Sequence, residues 1–371
     1  MPAAETSAEA RRSMEVCNAC RYCEGFCAVF PAMELRRAFS DGDLNYLANL
    51  CHGCRGCFYA CQYAPPHEFG INLPKILSEL RAETYVDYAW PKPMAALFRR
   101  NGTVVSLATA GGIALVLILT ALLQSPGMLF QSHVGAGAFY QIVPQWAMTG
   151  VALATTVYAV LAIGIGTVRF WRDTGGGNAT GVRALTKAMK DALTLRNLGG
   201  GGHGCNDKDE SFSQARRLNH HALFYGFFLC LASTTTAAIY DHFLGRAAPY
   251  PFLSLPVLLG TAGGVGMTIG SFGLIWLKVV GDPEPTARKL WGGEYALLVQ
   301  LFLAATTGLL LLALRDTGAM GVLLAVHLGV ILSFFVTMPY SKFVHGIYRS
   351  AALLRNAHER QAVAAGEYGG H

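Results

Sequence analysis

The sequence predicts a mainly α-helical protein in two parts: a cysteine-rich N-terminal domain, then a bundle of six membrane-crossing helices. Three observations carry this reading. The chain of 371 residues is 53% hydrophobic and only 14% charged, with a mean hydropathy of +0.35, so too few polar residues remain to coat a soluble particle of its size. Six stretches of about 20 mostly apolar residues are long enough to cross a hydrocarbon core of about 30 Å as helices. Eight of the ten cysteines fall before residue 62, in two runs of identical spacing.

From the N-terminus, residues 1–16 carry Glu5, Glu9, Arg11, Arg12 and Glu15 around no apolar core. No signal peptide is expected there, and the N-terminus should stay in the cytoplasm. Cys17, Cys20, Cys23 and Cys27 form C-x2-C-x2-C-x3-C, and Cys51, Cys54, Cys57 and Cys61 repeat it. This is metal-site spacing in a reducing compartment, unlike the scattered cysteines of a secreted disulfide framework. Four thiolates per run suit a [4Fe–4S] cube, and in two-cluster ferredoxins the fourth cysteine of each run serves the other cluster. The expected sets are therefore Cys17, Cys20, Cys23 and Cys61 for one cluster, and Cys51, Cys54, Cys57 and Cys27 for the second. Two structural zinc sites are the alternative, but these usually show separated CxxC pairs. The familiar run ends in Cys-Pro, whereas here Cys27 precedes Ala28 and Cys61 precedes Gln62. Clusters fully capped by thiolate move single electrons, so residues 1–98 read as a ferredoxin-like wire. His52 and His67 flank it and read as surface histidines.

The spans run near 103–123, 146–168, 221–241, 253–277, 295–314 and 319–342, within a membrane domain of residues 99–350. The loop 169–218 is rich in Lys and Arg, the loop 124–145 has neither, and the remaining outer connections carry only Arg246 and Arg315. By the positive-inside rule both termini face the cytoplasm from an inner membrane, with 351–371 as a cytoplasmic tail. The formal charge of +6 is spread around the spans, not gathered into a stripe with interleaved aromatics, so nucleic acid is not an expected partner; the bilayer is. Within the long loop, residues 180–197 place Val182, Leu185, Met189, Ala192 and Leu193 on one face, as in a helix lying at the membrane interface. The Gly-rich run 199–207 lacks a P-loop's ending and reads as a flexible docking loop, with His203 and Cys205 given no metal role. Gly260, Gly264, Gly266, Gly270 and Gly273 in the fourth span should allow another helix to approach closely.

Ionisable residues inside spans are costly and default to functional hypotheses. His327 and His345 are eighteen residues apart, which is five helical turns and about 27 Å if the helix continues through Pro339. That spacing suits two stacked haems. Partners would come from the third span, with His220 or His221 at its inner end and His242 at its outer end, about 32 to 33 Å apart. Bis-histidine ligation of one or two b-type haems again means electron transfer.

The stretches "CRYCEGFCAVFPAME", "LANLCHGCRGCFYACQYAPPHEFGINLPK", "RRLNHHALFYGF" and "PYSKFVHGIYR" resemble the tricarballylate-utilisation protein B family, also called citrate-utilisation protein B. The resemblance implies a membrane electron-transfer protein with two [4Fe–4S] clusters and haem b. Such a protein reoxidises the FADH2 of a cytoplasmic FAD-dependent dehydrogenase, which converts tricarballylate to cis-aconitate, and passes electrons to quinone. It carries cluster ligation to the eight cysteines and haem ligation to His220, His221 and His345.

The expected function is thus an electron conduit from reduced flavin through clusters and haem b, in a cytochrome b-like bundle, to the quinone pool. A membrane enzyme resembling the heterodisulfide reductases, acting on a thiol or disulfide, is the alternative; on the cytoplasmic side only Cys205 is spare for it. A transporter with an iron–sulfur regulatory domain should show polar midplane residues and an internal repeat, and neither is evident.

Overall fold

The structure, a computed structural model, describes residues 3–125, 127–177 and 181–366. Thr180, at the start of the expected interfacial helix, and residues 367–371 of the expected tail lie outside the described residues. Among the described residues there is no β-strand, only an isolated bridge between Cys205 and Ser213.

The cysteine domain contains α1 (Ala3–Cys20), α2 (Val29–Glu34), α3 (Asp41–Leu50), α4 (Gly56–Tyr59) and α5 (Leu73–Asp87). Ser40 starts α3 with a capping box, accepting from the Asp43 amide while the Asp43 carboxylate reaches back to the Ser40 amide, which satisfies two donors the helix itself leaves open. Asn72 caps α5 in the same sense through the Lys75 amide. Met14, Met33, Leu44, Tyr46, Leu47 and Leu77 are buried between these helices.

The membrane part follows: α6 (Lys92–Leu97) and α7 (Asn101–Leu123), α8 (Ala138–Ile142) between the first two spans, α9 (Gln145–Asp173), α10 (Val182–Leu193), α11 (Ala215–His242), α12 (Leu255–Val279), α13 (Trp291–Leu314) and α14 (Met320–Thr337). Six helical segments, Lys92–Leu123, Gln145–Asp173, Ala215–His242, Leu255–Val279, Arg288–Leu314 and Met320–Tyr340, are long and apolar enough to cross a membrane, in register with the six expected spans. Glycine governs how closely they pack. A Cβ on Gly263 of α12 would sit 2.7 Å from the Gly226 carbonyl oxygen of α11, and one on Gly270 would sit 2.5 Å from the Leu223 amide nitrogen. Those contacts leave no room for a side chain, as the small residues of span four led us to expect.

Three expectations are corrected. The last span does not run on to His345: α14 stops at Thr337, Ser341 is extended, and α15 (His345–Ala364) begins anew after two 3-10 turns. Pro339 supplies no N–H and constrains the residue before it, which ends the helix. His327 and His345 therefore lie on separate helices, and the stacked spacing of about 27 Å does not exist. The segment expected as a tail is packed: Ala352, Leu353 and Ala357 of α15, with Tyr348 just before that segment, are buried in the cysteine domain's core together with Phe170 of α9. Glu359 fixes α15 there, accepting from Arg36 at 2.5 Å, Arg355 at 2.9 Å and Tyr46 at 3.1 Å. The third correction concerns the Gly-rich run, a built cover described below. The interfacial helix lies where expected: α10 packs through Ala184 and Ala188 and leaves Val182, Leu185, Met189 and Leu193 exposed.

Candidate functional site

The end of α1 and the turn after it present Cys17, Cys20 and Cys23; the turn is closed by the Arg21 amide donating to the Cys17 carbonyl at 2.9 Å. Cys51 ends α3, Cys57 lies in α4, and Arg55 between them takes a left-handed backbone (φ 68°) that turns the chain. The chain then returns Cys61 to the first three thiols. Burial, then Cys61, Cys23 and Cys20, push the Cys17 thiol up to about 12, and burial, then Cys61 and Cys20, push Cys23 up to about 11. Cys27 goes the other way. Burial, then Cys54 and Cys51, raise it, and Cys57 is raised by burial, then Cys54, Cys27 and Cys51. Cys61 thus lies near Cys17 and Cys23, and Cys27 near Cys51 and Cys54, while Cys57 neighbours both Cys27 and Cys23.

These donor sets fit iron–sulfur cages better than zinc. Among the described residues no three His, Cys, Asp or Glu groups converge as a single ion would require, whereas a four-iron cube takes one thiolate per iron. Cys17, Cys20, Cys23, Cys57 and Cys61 border a pocket with Tyr22, Tyr63 and Gln62. Amides also face the sulfurs: Gly53 N–H lies 3.4 Å from Cys51 Sγ, and the Val29 and Phe30 amides lower the Cys27 pKa against its burial. Thiols held this high when buried need a bound cation to ionise.

The second group is covered by the Gly-rich loop, which is built rather than flexible. Gly200 and Gly201 adopt φ of 51° and 76°, open to glycine at little cost, and bring the loop over Cys54; the Asn206 amide donates to the Cys54 carbonyl at 2.9 Å. Cys205 is fully buried and donates to the Leu198 carbonyl at 3.0 Å. Arg216 reaches the Gly53 carbonyl at 2.5 Å and pairs with Asp207.

Between the cysteine domain and the bundle lies a cavity of about 500 Å3. His220 of α11 and His345 at the start of α15 face each other across it, ring centroids 6.2 Å apart and planes at 74°. His345 Nδ1 contacts the Lys342 carbonyl at 2.5 Å, leaving Nε2 as the free nitrogen, while His220 Nδ1 is buried without a partner. Burial, then Arg349 and Lys342, hold the His345 pKa well below its usual value, so the ring is neutral and able to bind metal. His220 and His345 are the residues that would hold an iron there, supplying neutral imidazole nitrogens. Phe224, Phe227, Leu223, Leu297 and Phe343 make the walls apolar, and Arg81, Arg349, Lys278 and Lys342 gather at the polar side. Burial, then Arg81, pull Arg349 down to about 10, and its Nε has no partner. Lys278 and Lys342 already pair with Glu294, so the unpartnered Arg349 Nε is the donor left for an occupant's carboxylate.

The other candidate histidines are elsewhere. His221 points away, its Nε2 3.2 Å from the Thr194 carbonyl. His242 is 40% exposed at the far end of α11, beside Asp241. His327 is held between α13 and α14, Nδ1 3.0 Å from the Thr307 hydroxyl. Among the described residues His220 and His345 are the one pair of histidine rings in contact, so the geometry offers one bis-histidine place. His52, read as a surface residue, is part-buried on the cavity wall and meets the Leu50 carbonyl at 2.8 Å. The signal for it was adjacency to Cys51. Arg349, one helical turn beyond His345, and Lys278, which pairs with Glu294, were missed as cavity residues.

Residues 10–87 match the family model described as the citrate utilization protein B Fer4-like domain, and residues 96–366 match the one described as citrate utilization protein B. Citrate utilization protein B of Escherichia coli is 47% identical over 360 residues, covering 96% of this chain and 93% of that protein. No solved structure matches the chain.

Proposed function

The chain belongs to the citrate utilization protein B family, and from that premise we propose that it is a membrane electron-transfer protein that reoxidises the FADH2 of a cytoplasmic dehydrogenase of the tricarballylate type and delivers the electrons to quinone. The family and its Fer4-like domain point to an iron–sulfur electron-transfer role. The finer reading is that Cys17, Cys20, Cys23 and Cys61 hold one [4Fe–4S] cluster, Cys27, Cys51, Cys54 and Cys57 hold a second, and His220 and His345 hold one haem b. These groups supply one-electron chemistry, which lets a two-electron flavin be emptied in single steps.

The chain's own residues do the rest. Cys20 and Cys61 are part-exposed beside Tyr22, itself 67% exposed, which makes the first thiol group the face open to a soluble donor. The second group is enclosed by the Gly-rich loop and adjoins His52 on the cavity wall. The facing imidazoles beside the enclosed thiol group are the observation that carries the reading. The apolar walls and the cations at the cavity's polar side are what a haem with two propionates requires.

Thiol or disulfide chemistry would need an accessible spare thiol; Cys205 is fully buried and Cys230 lies in a membrane helix. Co-purification with a flavoprotein dehydrogenase tests the proposal. Adding that enzyme's substrate should reduce the b-type absorption of the complex. Reduction by dithionite but never by the substrate-loaded partner would refute the donor.

A further inference from the structure

A second hollow, of about 610 Å3, opens beside Arg99 and Arg100, where the first span begins. Arg81, Leu290, Glu294 and Lys342 border both this hollow and the imidazole cavity, so one layer of side chains separates them. Two residues on its wall carry a buried polar atom with hydrogen-bonding capacity left over. Tyr85 is 9% exposed, and its buried hydroxyl, beside the Arg81 guanidinium, finds no acceptor for its proton. Asn101 donates through Nδ2 to the Tyr340 carbonyl at 2.8 Å, which fixes the amide's orientation, and its buried Oδ1 accepts nothing. Buried donors and acceptors left unmade cost free energy, so a donor and an acceptor orphaned around one hollow mark a place shaped for a ligand. Phe98 and Tyr340, ring centroids 4.9 Å apart and planes at 32°, pack behind its lining, both nearly fully buried.

We propose that this hollow is the head-group site of the membrane quinone that drains the chain. The inference rests on the electron-transfer reading and adds where the acceptor sits. A quinone oxygen is the ligand atom that changes role on reduction: as a carbonyl it accepts from Tyr85, and as a quinol hydroxyl it donates to Asn101 Oδ1. Two electrons that left the partner's FADH2 arrive singly, two protons come from water admitted at the open mouth, and both C=O groups become C–OH with no other bond broken. The tail leaves toward lipid past Leu97, which is 56% exposed.

The test uses purified full-length protein reduced with dithionite and mixed with ubiquinone carrying one isoprene unit, following reoxidation of the b-type absorption. Tyr85→Phe should slow reoxidation about five- to tenfold, the worth of one hydrogen bond, with ferricyanide reoxidising variant and wild type equally. Independently of turnover, a photoreactive azidoquinone on wild-type protein should label peptides within 78–103 and 288–294, displaced by excess quinone. Labelling in the imidazole cavity or elsewhere, or an unchanged rate in Tyr85→Phe, overturns the site while leaving the relay intact. Wild-type protein that no quinone reoxidises would instead end the quinone reading itself. Should Tyr85→Phe fail to assemble, the wild-type labelling map decides.

Discussion

Alanine at His345 should empty the haem place while the iron–sulfur domain stays loaded. Its ring stands 6.2 Å from that of His220 and is held by the Lys342 carbonyl, so the substitution removes both a ligand and the contact that orients it. Losing an orienting partner alone costs about 10–100-fold in metal affinity, or about 1.4–2.8 kcal/mol, and losing the ligand costs at least that. The apolar walls still attract the ring system, so a small residue of bound haem is expected. Pyridine haemochrome analysis should fall from about one haem per chain to about a tenth or less in His345→Ala and in His220→Ala, with iron held by the clusters unchanged at about eight per chain. Added imidazole should restore part of the haem, because the vacated ring position is enclosed. His221→Ala, His242→Ala and His327→Ala should keep full haem. Unchanged haem in both His220→Ala and His345→Ala, or loss in His327→Ala, would refute the reasoning.

Cys27→Ser should abolish the electron paramagnetic signal of one cluster and spare the other, and Cys61→Ser should do the reverse, each cutting iron by about four per chain; loss of the Cys17 cluster in Cys27→Ser would mean that the runs are not crossed. Glu359→Gln removes one of the two carboxylates that Arg36 and Arg355 share, Asp43 remaining, and should weaken the seat of α15 by about 1–3 kcal/mol, read as hydrogen exchange confined to residues 345–364. Asp43 contributes a pH dependence: burial would raise its pKa, but hydrogen bonds from Ser40 and Arg36 and the charge of Arg355 outweigh that and lower it. Its stabilising effect is therefore present above the unfolded carboxylate value and lost as pH falls through the lower folded one. Thermal unfolding of the cysteine domain should steepen its decline below about pH 4 in wild type and less in Asp43→Asn.

The six spans were legible because apolar length is a local property, and the Fer4-like domain because its cysteine spacing is one too. Which of two adjacent histidines faces inward was not legible: His220 and His221 differ by about 100° around α11, and only packing against α12 and α15 decides between them. The break after α14 was announced by Pro339, yet where α15 then goes depends on Arg36 and Tyr46, more than 300 residues earlier in the chain. The Gly-rich run looked unstructured because its positive φ values imitate a linker; its contacts with Cys54 are tertiary. Tyr85 carried no signal at all, since an orphaned hydroxyl is defined by its surroundings.

The central claim is that two thiolate cages and one imidazole pair form a single relay from the protein's surface into its membrane bundle. Iron, acid-labile sulfide and haem b determined on one anaerobic preparation test it most directly. The account predicts about nine irons, about eight sulfides and about one haem per chain. Protein that binds zinc at the cysteines, or that contains no acid-labile sulfide, would contradict it.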